Sequence, residues 1–237
     1  SHPAELSTIH GISSGPEAPV RVLSTPHTPI PEVQLLSNGR YHVMLSNAGG
    51  GYSRWRELAV TRWREDGTCD NRGAFCYLRE LSSGQVWSTT WQPTLKSPAA
   101  YEAIFSEGRA EYRRHDTLGA NEGHFETYTE IVVSPEDDIE LRRLRITNRS
   151  SRTRTLELTS YAEVVLALPA ADATQTAFGN LFVQTEILPE RRALLCTRRP
   201  RSVGEHTPWM FHLLSTNGSP VDQISYETDR LRFTGRG

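Results

Sequence analysis

The sequence predicts an all-β protein, a large antiparallel two-sheet sandwich, and three observations favour this class. Apolar and polar residues alternate along many short runs. Turn residues separate these runs at the roughly 8–12-residue spacing of sandwiches and barrels. No strand–helix–strand rhythm and no internal repeat is present. The chain of 237 residues suits one large β domain, and its composition of 37% hydrophobic and 23% charged residues allows a sizeable core.

The domain is predicted to follow an extended lead-in at residues 1–32. Proline and serine are frequent from residue 12 to residue 32, and no helical period is visible there. The sandwich is assigned to residues 33–237. Its first strand is predicted at 40–46, because Tyr41, Val43 and Leu45 occupy alternate positions.

The remaining strands are predicted in chain order from similar alternation and from Gly-containing turns. They lie at 57–63, 74–81, 85–91, 124–134, 139–147, 154–168, 181–188, 192–198 and 209–215. Residues 99–114 alone have a composition that suggests a helix. Gly108 and the aromatic residues weaken that prediction.

One predicted strand, 139–147, changes phase along its length. Ile139 and Leu141 fall on one face, whereas Leu144 and Ile146 fall on the other. A β-bulge at residues 142–143 would restore the alternation. Burial of both faces in a stacked sheet would also explain the pattern. We favour the bulge.

Composition and motifs exclude several classes. A net charge of −2 argues against a nucleic-acid surface, and no run of 18 apolar residues is present that could span a bilayer. No secretory signal, nucleophile elbow, P-loop, dinucleotide fingerprint or zinc pattern is visible. We therefore predict no metal and no cofactor. Cys69 and Cys76 could pair if oxidised, but with Cys196 they make an odd number, which favours reduced thiols.

No catalytic set stands out among the polar residues. Asp137 and Asp138 are adjacent, which suits a turn better than the two opposed carboxylates of glycoside chemistry. Glu122 and His124 could form an acid–base pair, but a solvated loop explains them equally well. Among the five tryptophans, Trp55 is the candidate to face a sugar ring or another domain, because indole rings stack on sugars.

The three glycines at 49–51 indicate close approach of the backbone to another group. They precede Tyr52, Arg54 and Trp55. Glycine lacks a Cβ and accepts positive φ, so the chain can pass tightly against a neighbour. No helix start follows, which argues against a phosphate cradle.

Five long segments of the chain resemble one family. They are LLSNGRYHVMLSNAGGGYSRWRELAVTRWRED (35–66), GAFCYLRELSSGQVWSTTWQPT (73–94), IVVSPEDDIELRRLRITNRS (131–150), YAEVVLALPAADATQTAFGNLFVQTE (161–186) and YETDRLRFTGRG (226–237). Together they resemble the N-terminal β-sandwich domain of the cellobiose and chitobiose phosphorylase family. More narrowly, they are similar to the phosphorylase-like C-terminal part of bacterial cyclic β-1,2-glucan synthases.

The resemblance implies a supersandwich related in fold to galactose mutarotase, followed in the family by a catalytic helical barrel. Family members phosphorolyse β-glucosides and form dimers. The glucan synthases place this part on the cytoplasmic side of the inner membrane, within a larger membrane protein. The barrel has no counterpart in residues 1–237, so the resemblance transfers no catalytic residue and implies a soluble, non-catalytic fragment.

The sequence departs from the family at two places. Gln175 and Thr176 stand where relatives tend to have His-Pro, and Tyr128 replaces a common histidine. Contacts with carbohydrate or with another domain are expected from the glycine segment and from one distant residue. These residues are Asn47, Gly49, Gly50, Gly51, Tyr52, Arg54, Trp55 and Gln175.

Three functions are considered for the domain. The first is a non-catalytic scaffold that supports dimerisation and glucan processing by a downstream barrel, with β-glucan or an oligosaccharide as partner. The second is an independent glucan-binding module. The third is an aldose epimerase, which needs a histidine and a carboxylate converging in one cleft, and the sequence shows no convincing pair.

Overall fold

A computed structural model describes most of the chain. The described residues are 19–62, 73–119, 123–174, 181–200, 202–218, 220–229 and 232–233. Almost all regular structure in these ranges is β-strand, so the predicted all-β class is confirmed.

The described ranges contain sixteen strands and two short helical segments. The strands are β1 (Arg21–Leu23), β2 (Val33–Ser37), β3 (Tyr41–Ser46), β4 (Gly51–Trp55), β5 (Leu58–Thr61), β6 (Ala74–Glu80), β7 (Val86–Ser88), β8 (Ala100–Ser106), β9 (Arg109–Thr117), β10 (His124–Val133), β11 (Glu140–Asn148), β12 (Leu156–Ala162), β13 (Val164–Ala167), β14 (Val183–Leu188), β15 (Ala193–Arg198) and β16 (Trp209–Leu213). Helix α1 covers Pro169–Thr174, and a 3-10 turn covers Pro189–Arg191.

The strands form four antiparallel sheets. Sheet A has the order β1-β8-β9-β10-β11, and sheet B has the order β13-β5-β4-β3-β2. Sheet C is β12-β6-β7, and sheet D is β14-β15-β16. Sheet A is one layer of the sandwich, because its inner face packs against both sheet B and sheet C.

Two apolar clusters form the core between these layers. The first joins Leu36, Val43 and Leu45 of sheet B to Phe105 and Tyr112 of sheet A, with further small and aromatic neighbours. The second joins Leu78 and Trp87 of sheet C to Phe125 of β10 and to Leu118, which follows β9. Burial of large side chains at about 25 cal/mol per Å² is the main force that holds the layers together.

The β10–β11 ladder contradicts the predicted bulge at residues 142–143. The register runs without a shift from Phe125↔Asn148 to Val133↔Glu140. Ile139 and Leu141 are simply exposed, at 45% and 56% of their surface. The inward positions beside them are taken by Glu140 and Arg142, whose charges pair inside the sandwich. The pattern therefore looks out of phase because two inward positions hold a buried ion pair instead of apolar side chains.

A register shift occurs instead in β13. It lies between Val164 and Ala167, and Leu166 there has a φ of 51°. The predicted strand 154–168 is thus divided: β12 belongs to sheet C, and after Glu163 the chain enters sheet B as β13. Residues 99–114 form the β8–β9 hairpin, with Ser106 opposite Arg109, and not a helix.

Candidate functional site

The glycine segment forms a tight loop between β3 and β4. The Ser46 amide donates to the Gly50 carbonyl at 2.8 Å, and the Gly49 amide donates back to Ser46 at 2.9 Å. The Gln92 amide donates to the Ala48 carbonyl at 2.9 Å, which joins the loop to the segment after β7. Gly49 has a φ of 94°, a conformation that side chains with a Cβ rarely adopt.

The missing side chains allow this contact. A Cβ on Gly49 would overlap the side chain of Thr90, and a Cβ on Gly50 would overlap that of Gln92. A Cβ on Gly51 would overlap the Met44 carbonyl oxygen of the neighbouring strand. The neighbour that the glycines approach is therefore the chain's own 88–92 segment and strand β3.

Asn47 is buried and connects the loop to the lead-in. Its side-chain amide donates to the Thr25 carbonyl at 3.1 Å, and its side-chain oxygen accepts from the Glu32 amide at 3.3 Å. The Tyr101 hydroxyl of sheet A donates to the Asn47 carbonyl at 2.7 Å. One residue thus ties together the lead-in, sheet B and sheet A.

Trp55 ends β4 and is held by the β10–β11 connection. Its indole nitrogen donates to Asp138 at 2.6 Å, and Arg40 pairs with the other oxygen of that carboxylate at 2.9 Å. The hydrogen bond from Trp55, together with Arg40, holds the pKa of Asp138 below its usual value. The Arg56 guanidinium lies 4.7 Å from the centre of the indole ring, so a cation covers one face of the indole.

Tyr52 and Arg54 lie on the outer face of sheet B. In the ladder, Met44 is opposite Tyr52 and His42 is opposite Arg54. Arg54 is exposed, and its Nε donates to the Arg56 carbonyl at 2.7 Å. This outer face thus carries an aromatic ring and a guanidinium at alternate positions of one strand.

Several residues singled out from the sequence lie outside the described ranges. They are Gln175, Trp63, Cys69 and Glu122. Cys76 and Cys196 have free thiols, and burial raises the pKa of Cys196 to about 11.

A polar cluster inside the sandwich was not expected from the sequence. Glu140 of β11 accepts from Arg142 and from Ser53, each at 2.5 Å, and from the Tyr41 hydroxyl at 3.3 Å. Arg142 also donates to the Ala74 carbonyl at 2.7 Å. Burial acts to raise the pKa of Glu140, but Arg142 and the hydroxyl donors outweigh it, so the carboxyl stays ionised. The cluster joins sheets A, B and C.

His212 extends this cluster to sheet D. Its Nε2 lies 2.7 Å from the Ser160 hydroxyl of β12. Burial, with Arg142 nearby, lowers the pKa of His212, which favours the neutral ring. Cys76 lies beside Ser160, and burial raises the pKa of its thiol. The strand alternation gave no signal for these contacts, since they join residues 52 or more positions apart.

A second buried ion cluster lies at the junction of β5, β13 and α1. Arg62 pairs with Glu163 and, through two nitrogens at 2.6 and 2.8 Å, with Asp172. A cavity of about 100 Å³ lies nearby, lined by Leu58, Leu166, Ala167, Leu168, Ala171, Arg198, Glu205, His206, Thr207 and Pro208. Ligand pockets generally start at about 300 Å³, so this cavity is too small for a hexose.

The polar groups of the two buried clusters form internal ion pairs. The carboxylates of the two buried clusters are engaged by arginines. Within the same ranges, no group of three or more His, Cys, Asp or Glu side chains is placed to hold a metal ion. No helix in this part of the chain is long and apolar enough to cross a membrane.

Comparison with known protein families identifies the class of this chain. Residues 16–237 match the supersandwich domain of glycosyl hydrolase 94. The chain therefore belongs to that family, in agreement with the resemblance drawn from its motifs. The match extends over the whole of the sandwich.

Individual relatives narrow the comparison. The chain is 36% identical over 218 residues to the cyclic beta-(1,2)-glucan synthase NdvB of Rhizobium meliloti (strain 1021). The aligned region covers 92% of the chain and 8% of that synthase. It is 29% identical over 160 residues to the N,N'-diacetylchitobiose phosphorylase of Vibrio furnissii, covering 64% of the chain and 19% of the phosphorylase. A 3-O-beta-D-glucopyranosyl-beta-D-glucuronide phosphorylase of Paenibacillus borealis is 30% identical over 138 residues, 58% of the chain and 16% of that enzyme. The chain thus spans less than a fifth of the length of these relatives.

Proposed function

We propose that the chain is the non-catalytic sandwich domain of a larger cyclic β-1,2-glucan synthase or glycoside phosphorylase. In this role it supports dimerisation and the processing of β-glucan by a catalytic barrel. The observation that carries the proposal is the family match together with the 36% identity to the glucan synthase over 92% of the chain. In this proposal the parent protein lies at the cytoplasmic side of a bacterial inner membrane.

The internal polar clusters support a scaffold. Glu140, Glu163 and Asp172 are held by arginines within the protein, so none of them is aimed at a substrate-sized cavity. Cleavage of a glycosidic bond needs an acid on one side of the sugar and a second carboxylate, or phosphate, on the other side. The engagement of these three carboxylates by arginines supports a structural role for them.

The test is phosphorolysis by the chain itself. We expect no sugar 1-phosphate when residues 1–237 are incubated with phosphate and β-1,2-gluco-oligosaccharides or chitobiose. A glycoside phosphorylase of the family serves as the positive control. Release of sugar 1-phosphate above the rate without protein would overturn the non-catalytic assignment.

The second candidate is an independent glucan-binding module, and the outer face of sheet B favours it. Tyr52 and Arg54 project from one side of that sheet, and Trp55 ends the same strand. A sugar ring could stack on Tyr52 while Arg54 takes its hydroxyls.

Calorimetric titration with β-1,2-gluco-oligosaccharides separates the two candidates. The module predicts saturable binding that Tyr52→Ala and Trp55→Ala each weaken by about tenfold or more. The matched control is Tyr226→Ala, which alters a half-buried tyrosine far along the chain. The scaffold alone predicts no measurable heat.

A further inference from the structure

Strand β16 at the edge of sheet D has an unusual surface. Its sequence, WMFHL, places Trp209, Phe211 and Leu213 on one side, and these side chains are 66%, 61% and 53% exposed. Large apolar groups in a row on an edge strand invite pairing with another chain, and proteins usually protect such edges with charge. No residue of β16 carries a full charge when His212 is neutral.

The backbone of β16 also has a free side. The Leu214 amide donates to the Arg192 carbonyl, so in this antiparallel ladder the even-numbered residues 210, 212 and 214 hydrogen-bond to β15. The amides and carbonyls of Trp209, Phe211 and Leu213 point the other way. Among the described residues, no backbone hydrogen bond reaches them.

Two other edge strands, β11 and β2, carry features that hinder pairing. Strand β11 carries Glu140, Arg142, Arg143 and Arg145 along its length. At the edge of β2, the Val33 carbonyl accepts a hydrogen bond from the Arg21 guanidinium at 2.8 Å. Strand β16 has neither charges nor a covering side chain in the part of the chain that the structure describes.

The pattern of β16 is self-complementary. If two copies pair antiparallel about a twofold axis at Phe211, each Phe211 faces its copy and each Trp209 faces Leu213. These are the positions whose amides and carbonyls point outward, so backbone pairing and apolar contact occur in the same register. No like charges meet across the axis.

We propose that β16 pairs with β16 of a second copy, which joins two sheets D into one six-stranded sheet. The contact is isologous, as expected for a closed dimer. This inference deepens the assembly part of the proposed function and is independent of its carbohydrate part. The proposal thus assigns the free edge of β16 to a second copy of the chain. The alternative, which the experiment tests, is that a strand from another region of a longer protein pairs with this edge.

The experiment measures association of the chain 1–237 by analytical ultracentrifugation. We expect a reversible dimer at micromolar concentration, weakened at least about tenfold by Phe211→Lys, since a charge at the twofold axis would face its copy. The matched control is Leu35→Lys, which replaces a side chain of similar exposure (60%) on another edge strand and leaves the dimer intact. Circular dichroism of each variant checks the fold.

Hydrogen exchange identifies the strand. In the dimer, the amides of Trp209, Phe211 and Leu213 become protected as concentration rises, whereas those of Met210 and His212 are protected throughout. A monomer at all concentrations would overturn the proposal. So would a dimer that Phe211→Lys leaves unchanged, or protection of the three amides that does not depend on concentration.

Discussion

At the scale of single residues, the glycine loop shows how the absence of a side chain positions two segments. Gly49 and Gly50 lie where a Cβ would overlap Thr90 and Gln92, and Gly51 lies against the Met44 carbonyl. The three glycines look alike in the sequence, yet each faces a different neighbour. Their common effect is to let sheet B contact the segment that follows β7.

Gly51→Ala is predicted to destabilise the fold strongly. The new Cβ meets backbone, which cannot turn aside as a side chain can, so we expect a loss of about 3 kcal/mol in the free energy of unfolding. Gly39→Ala is the comparison: Gly39 has a φ of 88° but open space, and its cost should be about 1 kcal/mol. Urea unfolding measures both, and equal losses would show that contact with Met44 does not matter.

His212 is predicted to make stability depend on pH. Because burial lowers its pKa in the folded state, the unfolded chain binds the proton more readily near neutral pH. The contribution of the neutral His212 ring to the free energy of unfolding is fully present above the usual histidine pKa of about 6.5. It is lost as the pH falls through the lower pKa of the folded state. Thermal unfolding from pH 7.5 to pH 5, values chosen to span roughly that range, should show a slope that His212→Gln reduces. The exposed His206→Gln should retain the wild-type slope.

At the scale of elements, β11 places an ion pair where alternation predicted a sandwich core. Glu140 and Arg142 face inward from adjacent inner positions and are satisfied by Ser53, Tyr41 and the Ala74 carbonyl. Removing one partner of a buried ion pair leaves an unpaired buried charge. The resulting loss of stability is larger than the stabilisation that the intact pair provides.

Arg142→Met is therefore predicted to cost about 3 kcal/mol. Arg145→Met, three positions along on the outer face, should change stability by less than about 0.5 kcal/mol. Combining Arg142→Met with Glu140→Gln should recover part of the loss, because the buried carboxylate is also removed. Denaturant unfolding of the wild type, Arg142→Met, Glu140→Gln and the double variant gives the coupling, and a double variant no more stable than Arg142→Met would contradict a paired role.

The same strand shows what the sequence could and could not predict. Period-two alternation found most of the strands, including β3, β6, β10 and β15, since it depends on local positions alone. It also found β11 at 139–147, but the bulge inferred there was wrong, because the inward Glu140 and Arg142 looked like a break in phase. It missed the hairpin at 99–114, where the composition resembles that of a helix. The neighbours of the glycine loop and of His212 depend on contacts far apart in the chain, which no local pattern records.

At the scale of the whole molecule, sheet A connects the two core clusters. Its inner face supplies Phe105 and Tyr112 to one cluster and Phe125 to the other. Neither sheet B nor sheet C keeps its apolar face covered if sheet A unfolds.

We therefore predict one cooperative unfolding transition. Tryptophan fluorescence, to which Trp87 of the second cluster and Trp91 beside the first both contribute, and far-ultraviolet circular dichroism should give the same midpoint in urea. Trp87→Phe should lower that midpoint for the whole protein and not for sheet C alone. Two separate transitions would mean that the clusters are independent.

The contact between the glycine loop and the 88–92 segment also has an evolutionary consequence. A lineage that acquires a side chain at position 49 must shorten residue 90 at nearly the same time, because the short Thr90 side chain occupies the space, whereas the flexible end of Gln92 can turn away from a side chain at position 50. The two segments, some forty positions apart, should therefore change in step among descendants. A chimaera that takes them from different parents would be expected to lose the join between sheets B and C first.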